Sequence, residues 1–557
     1  MASLVLGPML RFVGKGYATI WVETDRPCEV QVLHASSPTF CVAGHHYALV
    51  EIDNLEPDSV TPYEVHLDGT KVWPQTTGPM ADWPESVIRA EHRRRPFRLA
   101  FGSCRVAYPQ DDDTAGVDAL AALAYKLRTA PGEEWPDGML FVGDQVYADD
   151  NISPETKAFV ESRRPREGAP DGEINDFEEY TKLYQESWSP APIRWLLSTV
   201  PSAMIFDDHD IRDDWNTSAA WREDIKKTPW WTERIASGLM AYWVYQHLGN
   251  LRPPELRKSK TYAAVRAAAD GAVPLREVAL ASDAASDTLT GDDVDPDGTG
   301  GSRWSYRRDL GTSRLLVLDS RAGRIVTPDK REMVSEADWA WLEEQVDSDE
   351  LAEIDHLLIA TSVPFLLPPF VHHLEEWNES VAGGAWGAKL AQQGEKLRQG
   401  VDLEHWAAFG DSFNRMIDIL AKIGKTAAGD ACRAPATITF LSGDVHFAYV
   451  ARARLREPQA TSPRVYQVVC SPLRNPLPGA LQYGQLAASS RFGHRVGRAF
   501  ARLAGVKTPR LEWRMVGQPA FGNVLATIDL QGRQAIASIE TAEAGPKLAL
   551  RMEAELS

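Results

Sequence analysis

The chain has 557 residues, of which 44% are hydrophobic and 25% are charged, and its formal net charge is −19. This composition is ordinary for a soluble globular protein, and the length suits one large domain with a smaller one, or two or three domains. The negative charge disfavours a broad nucleic-acid surface, because neutralising phosphates requires clustered Lys and Arg. The one compact basic run, at 89–98, is interpreted as a linker.

The spacing of the cysteines and the sequence of the first residues indicate the cellular compartment of the protein. Five cysteines stand far apart without a CxxC pair, so neither a disulfide framework nor a zinc ribbon is indicated. The start lacks a basic region, a sustained apolar segment, a small-residue cleavage site and a twin-arginine signal. No apolar run approaches the ~18 residues that cross a bilayer, so no transmembrane segment is expected. We therefore expect a soluble, cytoplasmic protein.

Residues 1–90 are predicted to form a small all-β sandwich domain. Short β-rich runs such as GYATIWVET and TPYEVHLDG are separated by Asp, Pro and Gly turns. This pattern is typical of a small antiparallel sandwich. The arginine-rich run that follows makes a plausible boundary, which leaves 91–557 as the second domain.

From about residue 96, apolar strands alternate with long helices, which indicates an α/β domain. Helical patterns are clearest at 117–129, 229–249 and 335–346, and the third begins with a capping-box spacing from Ser335 to Asp338. An acidic, Gly-rich stretch at 281–302 contains the opening of a calcium loop. An EF-hand is not supported, because Trp304 stands where the bidentate Glu belongs.

Five predicted strands of this domain end in polar residues. The endings are FGSC with Cys104, GDQVY with Asp144 and Tyr147, DDHD at 207–210, LDSR with Asp319 and Arg321, and GDVH with Asp444 and His446. One Asp after a Gly often only closes a turn, but five such endings together are hard to assign to turns. In sheets covered on both faces, sites form beyond the carboxyl ends of the strands. The endings therefore predict one cleft.

The residue types at these endings select a chemistry. Asp, Tyr, His and thiolate side chains are metal ligands. The chain has neither a G-x-S-x-G nucleophile elbow nor a P-loop, so a lipase-like triad and a nucleotide clamp have no motif here. The remaining interpretation is a carboxylate-rich dinuclear metal centre that hydrolyses a phosphate ester.

Taken in order, the five endings resemble the alkaline phosphatase D (PhoD-like) branch of the calcineurin-like metallophosphatases. The resemblance runs from about residue 96 to about 530 and includes FGN at 521–523. It implies a four-layer α/β sandwich of two mixed β-sheets flanked by helices, and a preceding β-rich domain is usual in this family. It also implies an alkaline phosphatase, that is, a metal-dependent phosphomonoesterase.

The resemblance further implies a set of metal ligands. Asp144 is expected to bridge two metals, with Cys104, Tyr147 and His446 on the first metal and Asp208 and Asp444 on the second. Tyr, thiolate and His donors suit Fe³⁺ and an all-oxygen set suits Ca²⁺, with Mn²⁺ or Zn²⁺ as alternatives. The family usually adds a histidine to the second metal from the strand before GDVH. Thr361 and Ser362 stand there instead, so that ligand is open.

The mechanism expected from this site is in-line attack on phosphorus by a hydroxide shared between the metals. His209 takes the place of the catalytic histidine, which hydrogen-bonds a phosphoryl oxygen or the leaving group and is a candidate to protonate the latter. Asp210 is a candidate to orient the imidazole. Arg321 and Arg105 are candidates to bind the phosphate through a planar fork.

Other polar residues receive ordinary interpretations, and other functions remain open. Asp207 is expected to support the ligands, Asp213 and Asp214 to pair with Arg212 or face solvent, and His372, His373 and His405 to be polar or packing residues. A phosphodiesterase or phospholipase D-type enzyme with the same site is one alternative. A metal-stabilised binding protein without catalysis is the other.

Overall fold

The computed structural model describes residues 1–91, 96–108, 115–130, 132–163, 170, 172–287, 303–327, 330–429, 434–456 and 463–557. The calcium-like pattern at 293–298 and the centre of the basic run, at 92–95, lie outside these residues. No helix within the described part of the chain is long and apolar enough to cross a bilayer.

The described residues contain twenty-five strands. They are β1 (Leu4–Gly14), β2 (Tyr17–Thr24), β3 (Glu29–Val32), β4 (Ala35–Pro38), β5 (Phe40–Val42), β6 (His45–Ile52), β7 (Val60–Pro62), β8 (Val65–Leu67), β9 (Thr70–Trp73), β10 (Val87–Arg89), β11 (Phe97–Gly102), β12 (Gly138–Val142), β13 (Ser202–Ile205), β14 (Tyr306–Leu310), β15 (Ser313–Val317), β16 (Ile325–Val326), β17 (Arg331–Glu332), β18 (His356–Ala360), β19 (Thr437–Ser442), β20 (Ala448–Leu455), β21 (Arg464–Val469), β22 (Leu511–Ala520), β23 (Val524–Gln531), β24 (Gln534–Glu543) and β25 (Lys547–Glu555).

The α-helices of the described residues all follow β11. They are α1 (Ala119–Thr129), α2 (Pro154–Arg163), α3 (Phe177–Trp188), α4 (Ala191–Thr199), α5 (Ala219–Ile225), α6 (Trp231–Tyr242), α7 (Pro253–Lys258), α8 (Lys260–Ala267), α9 (Ala272–Ala285), α10 (Glu336–Gln345), α11 (Ser348–Leu351), α12 (Pro369–Ala382), α13 (Ala388–Gly400), α14 (Gly410–Gly429), α15 (Gly479–Ala488) and α16 (Arg491–Leu503). A π-helix at Trp243–His247 continues α6. The predicted helices at 117–129, 229–249 and 335–346 correspond to α1, α6 with its π-helical extension, and α10.

The N-terminal region is all-β, as predicted. Its strands form two four-stranded antiparallel sheets with the orders β1-β2-β6-β5 and β4-β3-β8-β9. Val30 and Val32 of one sheet and Leu49 of the other belong to the same buried core. Because β10 pairs with β7, the all-β region continues to Arg89, and we propose a domain boundary at residue 90.

The remaining chain forms two mixed sheets. The six-stranded sheet has the order β13-β12-β11-β23-β24-β25, and the seven-stranded sheet has the order β14-β15-β18-β19-β21-β20-β22. β11, β12 and β13 are parallel in the first sheet, as are β15, β18, β19 and β21 in the second. Their carboxyl ends carry the polar endings of the sequence, because a parallel sheet directs all its strand ends to one edge.

The two sheets pack face to face, with helices outside them. Leu315 and Val317 of β15 belong to the core shared with the six-stranded sheet. Leu316 and Leu318 belong to a second core, which contains Trp339 of α10. Successive side chains of a strand point to opposite faces, so β15 is covered by a sheet on one face and by helices on the other. The predicted four-layer fold is confirmed.

Arg11 of β1 joins the N-terminal region to the α/β region. Its fully buried guanidinium donates hydrogen bonds to the carbonyl oxygens of Ser202 at 3.2 Å, and of Tyr245 and Gln246 at 2.6 Å each. The hydroxyl groups of Tyr47 and Tyr245 lie 3.1 Å apart. The N-terminal sheet therefore packs against the segment that supports β13 and the DDHD stretch after it.

Candidate metal centre

The structure brings the polar endings of both sheets to one edge. Cys104, Asp144 and Asp208 follow β11, β12 and β13 of the first sheet, and Asp444 follows β19 of the second. The two sheets are joined there by a hydrogen bond of 3.1 Å from the backbone N–H of Asp444 to Ser103 Oγ. Asp207 and Asp208 are buried, as are Asp144 and Cys104.

The backbone at this edge is held in an uncommon conformation. Cys104, Asp144, Asp444 and His446 all have positive φ angles, of 55°, 50°, 69° and 58°. This left-handed region is unfavourable for residues with a Cβ, at about 1 kcal/mol or more each, and such strain clusters at functional sites. The strand ends turn sharply at these positions, which places consecutive ligand-type side chains at the cleft.

Three buried carboxylates form the centre of the site. Ligand oxygens of Asp144, Asp207 and Asp208 lie within 4.8 Å of one another. One oxygen of each has no hydrogen-bond partner among the described residues. Burial raises the pKa of Asp144 well above its ordinary value, and burial opposed by Arg321 raises that of Asp207 to about 8. Buried carboxylates without partners are costly, so these residues fit a bound cation.

Cys104 and Tyr147 approach the same oxygen of Asp144. Cys104 Sγ lies 3.3 Å from Asp144 Oδ2, and the Tyr147 hydroxyl lies 3.5 Å from that oxygen. Asn475 Nδ2 donates to the Tyr147 hydroxyl at 3.2 Å. Burial raises the pKa of both Cys104 and Tyr147 well above its ordinary value. A neighbouring metal ion reverses this tendency, because it stabilises thiolate and phenolate as ligands.

His446 lies two residues beyond Asp444, and its backbone N–H donates to Ser471 Oγ at 3.2 Å. Burial lowers the pKa of its imidazole to about 4, so the ring is neutral, as a metal ligand must be. Three groups of His, Cys, Asp or Glu have ligand atoms within 4.8 Å in the described residues, and His446 belongs to none of them. Its part in the centre stays a prediction.

His405 contacts the centre, although its sequence context predicted an ordinary loop residue. Its Nε2 lies 2.7 Å from Asp444 Oδ2, and its Nδ1 lies 2.6 Å from Glu375 Oε1. Burial alone would lower the pKa of His405, but Glu375 and Asp444 raise it well above its ordinary value. The position of His405 in the sequence does not predict its contact with the centre, because thirty-nine positions separate it from Asp444.

His209 pairs with Asp149 rather than with Asp210. Its Nδ1 lies 2.9 Å from Asp149 Oδ1, and its ring packs against that of Tyr147 at an interplanar angle of 34°, with 4.6 Å between the centroids. Burial alone would lower the pKa of His209, but Asp149, followed by Asp208, raises it well above its ordinary value. The side chain retains 19% exposure, so it faces the cleft.

Asp210 holds the backbone of the ligand loops, and the prediction that it orients the His209 imidazole is wrong. Its Oδ2 accepts from the backbone N–H of Asp144 at 2.9 Å and of Asp207 at 3.0 Å. Its Oδ1 accepts from Gln246 Nε2 at 3.0 Å. Both carboxylate oxygens of Asp210 are therefore engaged by groups other than the His209 imidazole. Asp210 is a positioning residue.

Arg321 is buried within an ion-pair network, which contradicts the prediction that it binds phosphate. The fully buried side chain hydrogen-bonds Asp207 through Nε, and its terminal nitrogens lie 2.6 Å from each oxygen of Glu404. Its Nη2 lies 3.3 Å from Asp208 Oδ1 without hydrogen-bond geometry. Arg324 pairs with Glu404 at 2.9 Å. The Arg321 guanidinium thus offsets the buried negative charges of Asp207 and Glu404.

Arg105 also lacks a free fork for phosphate. Its Nε lies 2.9 Å from Asp118 Oδ2, and its Nη1 donates to the carbonyl oxygen of Ser187 at 2.9 Å. Asp118 in turn caps α1 through the backbone N–H groups of Leu120 and Ala121. The buried Arg105 therefore fixes α1 to the strand end that carries Cys104, and the predicted substrate contact is wrong.

The remaining candidates lie around this core. Ser362 Oγ donates to Asp207 Oδ1 at 2.9 Å, which supports the expectation that Asp207 acts behind the ligands, and Thr361 Oγ1 donates to the carbonyl oxygen of Val363. Arg212 pairs with Glu173 rather than with the neighbouring aspartates. His372 and His373 are buried on α12 beside Trp513.

Replacing Arg321 by Met should lower the free energy of unfolding by about 3–5 kcal/mol, because Asp207 would be left buried without a cation and Glu404 would keep only Arg324. Thermal unfolding of the purified variant measures the loss. Arg415→Met, which removes partly exposed surface ion pairs with Glu336 and Glu343, is the control and should change stability by less than about 1 kcal/mol. An unchanged unfolding midpoint together with a raised KM would instead make Arg321 a substrate contact.

Comparisons with known proteins give two family matches and a shared fold. Residues 1–88 match a family described as a domain of unknown function (DUF7800), and residues 115–271 match the PhoD-like phosphatase family. No curated protein matches the chain significantly. A solved structure of PhoD is 13% identical with a TM-score of 0.57, covering 99% of this chain and 92% of that one. A purple acid phosphatase from yellow lupin (Lupinus luteus) seeds is 10% identical with a TM-score of 0.46, covering 99% and 74%.

The segment matched by the phosphatase family contains the strand ends that build one side of the centre. Asp144, Tyr147 and the DDHD stretch all lie between residues 115 and 271. The PhoD structure, at its low identity, shows that the fold is shared across nearly the whole chain. The match of residues 115–271 to the PhoD-like phosphatase family supports a phosphatase enzyme, and the likeness to the PhoD structure shows the fold.

Proposed function

We propose that the chain is a metal-dependent phosphoester hydrolase with a dinuclear centre, acting on a phosphate-ester small molecule or diester. One observation carries the proposal: Asp144, Asp207 and Asp208 are buried together, each with an oxygen that lacks a hydrogen-bond partner among the described residues. Cys104 Sγ and the Tyr147 hydroxyl both approach Oδ2 of Asp144, one of these carboxylates. Such a donor set needs cations and is unfavourable without them.

The ligand set proposed for two metals follows the strand ends. Asp144 would bridge them, with Cys104, Tyr147 and His446 on one metal and Asp208 and Asp444 on the other. A thiolate and a phenolate suit Fe³⁺, and an all-oxygen set suits Ca²⁺, while Mn²⁺ or Zn²⁺ compete according to availability. When bound, the metals lower the pKa of water, which provides hydroxide for in-line attack, and they offset phosphoryl charge.

His209 is proposed as the proton donor to the leaving group. Asp149 accepts from Nδ1, which fixes the tautomer and leaves Nε2 directed away from that carboxylate. Packing against the Tyr147 ring holds the imidazole in the cleft, and Asp149 favours the protonated form. A protonated Nε2 supplies the proton that an alkoxide leaving group requires. Asp149 thus takes the positioning role first expected of Asp210.

Of the two candidate substrates, a phosphomonoester and a phosphodiester, the charges around the centre favour the diester. Arg321 and Arg105 are buried and already paired with carboxylates. Neither guanidinium is therefore available to bind a dianionic phosphate. Burial, followed by nearby carboxylates that include Asp208, raises the pKa of Asp213 and of Asp402, so negative charge is crowded around the centre. A diester carries one negative charge where a monoester carries up to two, so it is repelled less.

The proposal is tested by metal analysis of protein purified without chelator, followed by parallel assays of p-nitrophenyl phosphate and bis-p-nitrophenyl phosphate. We expect bound metal, hydrolysis that chelators abolish, and a higher kcat/KM for the diester. A higher kcat/KM for the monoester would leave the hydrolase proposal intact and reject the diester preference. Bound metal without turnover of either ester would make the chain a metal-stabilised binding protein and would reject catalysis.

His209→Ala should lower kcat by about 10²–10⁴-fold while metal content is retained, because the change removes a proton donor and no proposed ligand. Asp149→Asn should lower kcat less, since the imidazole remains. Steady-state kinetics and metal analysis of the same preparations check this. His34→Ala is the matched control, because His34 is half exposed in the N-terminal region and pairs only with the exposed Asp53 among the described residues. Full activity of His209→Ala would remove it from the mechanism.

Cys104→Ser should abolish or strongly shift any visible absorption of the iron-loaded protein, because thiolate-to-iron charge transfer is lost. Absorption spectra at matched iron content test the expectation. Cys41→Ser is the control, because Cys41 is half-buried in β5 and should leave the spectrum unchanged. An unaltered spectrum in Cys104→Ser would exclude Cys104 as an iron ligand.

A further inference from the structure

A basic and apolar helical hairpin lies outside the machinery described above. It consists of α15 (Gly479–Ala488) and α16 (Arg491–Leu503), hereafter the α15–α16 hairpin. Lys or Arg stands at 474, 491, 495, 498, 502, 507 and 510, and no Asp or Glu occurs from 474 to 510. In a chain with a net charge of −19, this segment is a separate positive region.

Small residues hold α16 tightly against α12. Gly493, Gly497 and Ala501 recur every four residues and are all buried, so they share one face of the helix. A Cβ on Gly497 would meet the carbonyl oxygen of Phe370 and the Cβ of His373 at 3.1 Å each. Because this face is used for close packing, the orientation of α16 is fixed and its other sides point outward.

The outward sides present large apolar groups to solvent. Phe492 is 76% exposed and Leu503 is 70% exposed, and at eleven residues apart they share one side of α16. Tyr483 of α15 is 78% exposed. The half-exposed Trp386 donates from Nε1 to the carbonyl oxygen of Leu503 at 3.3 Å, which extends the apolar area. Contiguous exposed apolar groups mark an interaction surface.

Cations border the apolar side of α16. Arg495 and Arg502 are exposed and lie on the side next to Phe492 and Leu503, since the helix turns about 100° per residue. Arg498 lies between them in sequence but farther around the helix from Phe492, and it donates to Thr508 Oγ1 at 2.6 Å. An apolar side bordered by Arg is the composition of helices that lie in the headgroup region of a bilayer.

The hairpin lies at the rim of the candidate metal centre. It begins four residues after Asn475, whose side chain contacts the Tyr147 hydroxyl at 3.2 Å. The helix beneath it, α12, carries Glu375, which contacts His405 at 2.6 Å. A surface that binds the hairpin would therefore lie beside the cleft.

We propose that the α15–α16 hairpin binds the surface of an anionic lipid bilayer. Charge complementarity favours this occupant over a second copy, because a twofold contact through this surface would place arginines against arginines. It is also favoured over nucleic acid, which would not cover exposed Phe492, Leu503 and Tyr483. The negative charges elsewhere are screened beyond ~8 Å at physiological salt. Binding requires neither metal nor turnover, so the inference does not rest on the proposed function.

Co-sedimentation of the full chain with large vesicles tests the inference. Vesicles of phosphatidylcholine with ~30 mol% phosphatidylserine should bind the chain, and pure phosphatidylcholine should bind it at least about tenfold less. Arg495→Glu with Arg502→Glu should weaken binding about 30-fold or more, at roughly fivefold for each cation near the surface. Phe492→Ser with Leu503→Ser should weaken it at least about tenfold, because apolar burial is lost.

Matched controls separate the hairpin from overall charge and hydrophobicity. Lys15→Glu with Lys258→Glu makes the same change in net charge at exposed positions elsewhere, and Val273→Ser with Leu550→Ser removes exposed apolar groups elsewhere. Both should bind within about twofold of the unaltered chain. Unaltered thermal unfolding shows that each variant is folded.

Three results would overturn the inference. The first is equal binding to neutral and anionic vesicles, or binding to neither. The second is a dimer in solution that Arg495→Glu with Arg502→Glu dissociates, which would make the hairpin an interface between copies. The third is binding of duplex RNA through the same arginines without binding of vesicles.

Discussion

The structure depends on how buried negative charge is offset at the edge where the two sheets meet. The charge of Asp207 is offset by another side chain of the protein, because Arg321 contacts it and is itself held by Glu404. Burial alone would lower the pKa of Arg321, but Asp207 and Asp208 raise it well above its ordinary value. Asp144 and Asp208 retain oxygens without hydrogen-bond partners among the described residues. Arg321 thus offsets one carboxylate, and the oxygens without partners are the ones that the proposal assigns to metal binding.

The backbone of the site is fixed by contacts from outside the cleft. Asp210 accepts from the backbone N–H groups of Asp144 and Asp207, so the ends of two neighbouring strands share one anchor. Gln246 holds Asp210, and the carbonyl oxygen of Gln246 accepts from Arg11 of the N-terminal region. A chain of hydrogen bonds therefore runs from β1 to the candidate ligands. This gives the N-terminal region a supporting role for the centre, since ligand geometry follows its surrounding contacts.

Charges of opposite sign also lie in different regions of the protein. Carboxylates surround the centre, with Asp213 exposed beside His209, whereas the α15–α16 hairpin carries only cations. The hairpin begins four residues after Asn475, which contacts Tyr147. The metals proposed for the centre reverse the sign at the point of reaction, because a bound cation is the largest local charge.

The amino-acid sequence by itself determined the fold class, the family resemblance and the strand endings that carry candidate ligands. These features are local, because an apolar run predicts a buried strand and the residues directly after it must lie at the sheet edge. Only the tertiary structure decided what the other charged residues do. Arg321 and Asp207 are 114 residues apart, and His405 and Asp444 are 39 apart, so no spacing could pair them. Hydrogen-bond partners across such separations are set by packing, which sequence patterns do not record.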